Sequence, residues 1–155
     1  MENLKRALEI TKVSRKAFRN ILDNYTLKQL NKVPEGFSNN LFWNIAHIVV
    51  TQQLLCYRLS GLDTLVSNEW IELFKKGTST TKDASEQDLK DLKELLFSTI
   101  EKTAEAIEAG IFKEFTEYPT STGFVLRSVN DAFEFNNFHE GIHLGYILAL
   151  KKAVK

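Results

Sequence analysis

Residues 40 to 60 constrain the fold more than any other stretch. Leu41, Phe42, Trp43, Ile45, Val49, Val50, Leu54, Leu55 and Leu59 leave almost no side of a helix polar. A helix that is apolar all round must be surrounded. It belongs at the centre of a bundle or partly in a subunit interface. Ser38, Asn39 or Asn40 can cap its start and Gly61 its end.

The rest of the chain supplies the partners. Leu4, Ala7, Leu8, Thr11, Phe18, Ile21 and Leu22 repeat at helical spacing over residues 3–25. Leu89, Leu92, Leu96, Ile100, Thr103 and Ile107 do the same over 85–109, with Ser85 and Asp88 placed for a capping box. Ser128 with Asp131 opens a last helix that runs almost to the end of the chain. Only two prolines, Pro34 and Pro119, interrupt the sequence. Residues 62–84 hold a short helix around Trp70 and a polar loop, Gly77 to Thr81. Residues 111–127 suggest a small hairpin. Together these predict one domain over residues 1–155, an all-α, up-down-type four-helix bundle with long connections. The all-round apolar helix further predicts a homodimer built on that helix or the first one.

Composition excludes several classes. Lys plus Arg and Asp plus Glu are 20 each, so the net charge is zero and nucleic-acid binding is not expected. Apolar runs are too short to span a bilayer, and the charged N-terminus is not a signal peptide. The one cysteine, Cys56, rules out an internal disulfide and fits a reducing compartment. A cytoplasmic, soluble protein is expected. No P-loop, Rossmann glycine pattern or nucleophile elbow occurs.

The chemistry concentrates in three histidines. His139 and His143 stand four residues apart on the last helix, which places them on one face. His47 lies on the apolar helix. A single histidine on such a helix is most often a packing residue. Three, with none in a loop or tail, point instead to a transition-metal site, since neutral imidazole suits Zn, Ni, Fe and Cu. His139-Glu-Gly-Ile-His143 fits the metalloprotease H-E-x-x-H pattern, but a third ligand from upstream, His47, completes the set more naturally than a protease architecture does. Glu140 is a weak catalytic candidate, because it points about 100° away from His139 on a helix. Asn44 and Asn136, about one turn before His47 and His139, can orient a ligand or line a pocket.

Trp43-Asn-Ile-Ala-His47-Ile, Glu69-Trp-Ile-Glu-Leu-Phe-Lys-Lys-Gly-Thr78 and His139-Glu-Gly-Ile-His143-Leu-Gly-Tyr-Ile147 resemble the DinB-like family. These are DNA-damage-inducible four-helix bundles that include YfiT-type metal-dependent members. The resemblance covers most of the chain. It implies a divalent metal (Zn, Ni, Fe or Mn) on His47, His139 and His143. It also implies a metal-dependent transferase or hydrolase acting on a small molecule, with a low-molecular-weight thiol as a co-substrate in some relatives. The alternative it leaves open is a non-catalytic metal-binding stress-response bundle. The family often has Gln where Tyr146 stands, a departure that bears on the pocket and not on the ligands.

Overall fold

In the computed structural model, which describes residues 1–154, four long helices form the body of the molecule. They are α1 (Glu2–Asn24), α3 (Leu41–Gln52, prolonged by further helical turns), α5 (Glu86–Glu108) and α6 (Val129–Ala153). Two short helices, α2 (Leu27–Asn31) and α4 (Asn68–Phe74), lie in the connections. A two-stranded antiparallel ribbon pairs β1 (Tyr118–Pro119) with β2 (Val125–Leu126). The expected all-α bundle is what the chain forms.

The helix starts follow from local chemistry. Asn40 accepts from the Trp43 amide, Ser85 and Asp88 form a full capping box, and Ser128 accepts from the Asp131 amide. Each satisfies an amide that would otherwise lack a partner at a helix N-terminus. The periodicity of residues 26–31 is too short to reveal α2. It is set by a second capping box, between Thr26 and Gln29.

The long apolar helix is less regular than its sequence suggests. After Gln52 it passes through a π-helical turn (Gln53–Tyr57) and a 3₁₀ turn (Arg58–Ser60) before Gly61 ends it in the left-handed conformation, at φ 70°. A π turn bonds i to i+5 and so rotates the following side chains relative to those before it. At its start the Gln53 side chain has partners, while the buried Gln52 side-chain nitrogen has none. Gln53 accepts the Leu65 amide with its side-chain carbonyl and donates to Gln52.

Packing follows a ring. α1 lies against α5 and α6, and α3 also lies against α5 and α6. α1 and α3 therefore face each other diagonally, and the connections 25–40 and 109–128 cross the ends of the bundle. Every residue from Leu41 to Val50 is buried within this one chain. The apolar character of α3 thus needs no second copy to cover it, which removes the sequence argument for a dimer through that helix. Exposed apolar side chains gather elsewhere, including Phe138, Ile142 and Tyr146 along one side of α6. Among the described residues, no helix is long and apolar enough to cross a membrane.

α1 and α6 are also joined by a buried polar seam. Arg15 and Glu140 form an ion pair at 2.8 Å with both side chains fully buried. Ser14 and Asn136 donate to the same carboxylate. Asn137 donates to the Ala7 carbonyl and accepts from Thr11.

Candidate metal centre

α3 and α6 are neighbours in the ring, and their contact brings the three histidines together. His47 and His139 approach at 3.2 Å between their Nε2 atoms. One ligand atom from each of His47, His139 and His143 lies within 4.8 Å of the others. Trp43 stacks on the His47 ring, with centroids 4.6 Å apart. Its indole N–H donates to Thr78, which in turn ties into the α4 terminus. The polar loop 77–81 is therefore pinned to the bundle and does not hang free as a lid.

The hydrogen bonds behind the rings fix two of the three tautomers. His47 Nδ1 lies 2.6 Å from the Phe74 carbonyl oxygen. A carbonyl can only accept, so Nδ1 carries the proton and Nε2 presents a bare lone pair. His143 Nδ1 lies 2.9 Å from Asn44 Oδ1. Asn44 is oriented by its own amide nitrogen, which donates to the Asn40 carbonyl at 2.8 Å. The oxygen must then face His143, and that ring also carries its proton on Nδ1. Such outer partners are what hold metal-ligating imidazoles in place. His139 differs: its Nδ1 is buried and makes no hydrogen bond.

All three rings are held neutral. Burial lowers the His47 pKa, against the opposing effect of the Phe74 carbonyl. Burial first, then repulsion from His143 and His47, holds His139 down to about 3. Burial and then His47 hold His143 at about 4. Neutral imidazole is the ligating form.

These three residues could hold a divalent ion. Zinc–imidazole bonds of about 2.0–2.1 Å in a tetrahedron place donor atoms roughly 3.3 Å apart. The His47–His139 separation of 3.2 Å matches that edge. His47 Nε2 is bare, so without an ion this contact is a hydrogen bond donated by His139 Nε2–H; as a ligand through Nε2, His139 would carry its proton on the unpartnered Nδ1 instead.

The cluster forms part of the wall of a cavity of about 490 Å³. Leu54, Leu55, Leu59, Phe135 and Ile142 make its apolar sides, and Tyr118 with Thr120, Ser121 and Thr122 covers it from the hairpin. The hairpin is anchored by the Thr116 amide donating to the Leu59 carbonyl and by Phe124 stacking on Phe135. Thr51, one turn beyond His47, lines the cavity with its hydroxyl 3.3 Å from His47 Nε2.

A family model for the DinB superfamily matches residues 10–147. The chain belongs to the DinB superfamily. No curated protein matches it. For a DinB chain, the three-histidine group is the feature that could hold a metal ion.

Not every candidate residue reaches this DinB site. Glu140, beside His139 in sequence, faces α1 and is engaged by Arg15, Ser14 and Asn136. It is not among the residues lining the cavity. Of the two asparagines, Asn44 supports His143, whereas Asn136 supports Glu140. Tyr146 packs edge-on against Phe37, away from the cavity. Cys56 is buried, and burial, with the nearby Glu140 charge adding to it, pushes its thiol far above the ordinary range. Sequence reasoning missed Thr51, whose i+4 spacing from His47 was a usable signal. It also missed the Phe74 carbonyl, Arg58 and Lys76, which depend on how the chain returns to α3.

Proposed function

We propose that His47, His139 and His143 bind one divalent transition metal, and that the protein is a metal-dependent enzyme acting on a small molecule. The reaction class is a transferase, with a low-molecular-weight thiol as co-substrate, or a hydrolase. One observation carries this reading: the histidine cluster is a wall of a cavity large enough for a substrate. A structural metal site is closed by four protein ligands, while a catalytic one keeps a position open beside a cavity. When bound, the ion would supply Lewis-acid polarisation of a substrate oxygen or sulfur. The chain's own part is to hold two bare Nε2 atoms through Phe74 and Asn44, to narrow water access with Leu54, Leu55 and Phe135, and to offer the Thr51 hydroxyl beside the ligands.

The test is metal analysis of protein purified without a nickel column. About one equivalent of a divalent transition metal per chain is expected, lost on dialysis against a chelator and regained on reloading. His143→Ala should lose most of it while keeping the helical circular dichroism of the parent. No uptake of Zn²⁺, Ni²⁺, Fe²⁺ or Mn²⁺ by the intact chain would end this reading. Loaded protein should then be screened for thiol transfer and for hydrolysis of activated esters and amides, with the chelated protein as the control.

Self-association belongs to the same proposal, through the exposed side of α6 and not through α3. Phe138, outside the cavity lining, is 54% exposed on that side. Light scattering at micromolar concentration should give twice the chain mass for the parent and a single chain mass for Phe138→Glu. A monomeric parent would refute it.

A further inference from the structure

The cavity beside the histidines carries charge of only one sign. Arg58 and Lys76 border it, and no Asp or Glu does. Among the described residues neither cation makes an ion pair, although the neighbouring Lys75 is paired with Glu72. The two enter from different parts of the chain. Lys76 is two residues beyond Phe74, whose carbonyl holds His47, so it stands near the histidine end. Arg58 is eleven residues beyond His47, at most roughly 16 Å along the helix axis at ~1.5 Å per residue. Between them the lining is mostly apolar, from Leu54, Leu55, Leu59 and Phe135.

We infer that this cavity selects a small organic anion: a molecule with an apolar body and a carboxylate, sulfonate or phosphate group drawn in by the positive field that Arg58 and Lys76 set up from its two ends. The inference rests on the reading of the cavity as the substrate site beside the metal centre, and it names the substrate class. The physical case is complementarity. Two unpaired cations beside an apolar cavity attract an anion and disfavour a cation, and the absence of a lining carboxylate leaves nothing to repel the anion. The apolar walls reward burial of a hydrocarbon or aromatic body. Ser121, on the hairpin over the cavity, makes no side-chain hydrogen bond to another residue and offers a further donor to a bound head group.

The test uses two fluorescent probes of the same skeleton, 8-anilino-1-naphthalenesulfonate and the uncharged N-phenyl-1-naphthylamine. In low salt the sulfonate should bind more tightly. The gap should narrow at 1 M NaCl, where the screening length falls to about 3 Å. Solvent-exposed charge pairs contribute about 0.2–1 kcal/mol, or roughly 1.5- to 5-fold each. Arg58→Ala/Lys76→Ala should therefore weaken the sulfonate about 2- to 25-fold and leave the neutral probe within about twofold. Ile142→Trp, which fills the cavity from its exposed side, should weaken both probes. Both cations are on the surface, so the double variant should keep the parent's circular dichroism. Equal affinity of the two probes for the parent would overturn the inference, as would no binding of the sulfonate. So would a double variant that shifts both probes alike or neither, or sulfonate binding that survives Ile142→Trp. Zinc titration of the same proteins separates this result from the metal reading. A chain that takes up no zinc yet keeps the anion preference retains the inference and loses the metal centre. A chain that binds zinc without that preference does the reverse.

Discussion

Removing the Glu140 carboxylate should be among the most damaging single changes to the bundle, and for a reason unrelated to catalysis. The Arg15 and Glu140 side chains are both fully buried and bonded at 2.8–3.2 Å through Nε and Nη2. Arg15 Nη1 has no hydrogen-bond partner, so the guanidinium depends on this one carboxylate for its charge balance. Glu140→Leu leaves a desolvated cation behind, at a cost of about 3–5 kcal/mol. For a chain of this size each kcal/mol lowers Tm by about 2–4 °C, giving a fall of roughly 6–20 °C. Arg15→Met/Glu140→Leu removes both charges, and such replacements are often neutral or stabilising. Recovery should be partial, because Asn136 loses its acceptor, a penalty of about 1–3 kcal/mol. Ser14 is spared, since its hydroxyl can still donate to the Thr11 carbonyl at 2.9 Å. Thermal unfolding followed by circular dichroism at pH 7 reads all three proteins. A Glu140→Leu shift under about 4 °C, or a double variant no more stable than the single one, would refute the reasoning. Metal content of the double variant should match the parent, since Glu140 points away from the histidines.

Asn44→Ala should weaken zinc binding about 10- to 100-fold in a calorimetric titration, because it frees the His143 ring and its tautomer. Unchanged affinity would mean that the ring is held by packing alone. Cys56→Ala should retain metal and any activity found. The parent thiol should react with a disulfide reagent only on unfolding, because burial disfavours its thiolate. Ser85→Ala should cost about 1 kcal/mol at pH 7, seen as a Tm drop of roughly 2–4 °C. The same cap makes stability pH-dependent in a known direction. Hydrogen bonds from Ser85 lower the Asp88 pKa in the folded chain. Its contribution is therefore full above the unfolded value of about 3.9 and is lost as pH falls through the lower, folded one. Asp88→Asn should flatten that part of the stability profile, measured by urea unfolding from pH 5 down to pH 2.

The bundle was legible because its signals are local and repeated. Apolar residues at helical spacing mark α1, α5 and α6, and Asn40, Ser85 and Ser128 mark the starts of α3, α5 and α6. The histidine cluster was legible for a similar reason. His139 and His143 share a face by arithmetic, and His47 lies on the helix most in need of neighbours. What escaped depends on long-range geometry. Nothing local shows that the Phe74 carbonyl, 27 positions beyond His47, closes on its Nδ1. Nothing in the all-round apolarity of Leu41 to Val50 tells whether one chain or two provides the cover, and here the ring of α5 and α6, with α2 and α4 on its flanks, provides it within one. Glu140 carries the sharpest lesson. It matches the metalloprotease pattern letter for letter, and its helical phase already turned it from His139. The partner that decides its role is Arg15, 125 residues away on α1. A motif names which residues are adjacent along the chain. Whether a carboxylate serves a metal site or neutralises a buried cation is decided by which helix packs against its other side. In this bundle the two histidines of that motif face α3, and the glutamate between them faces α1.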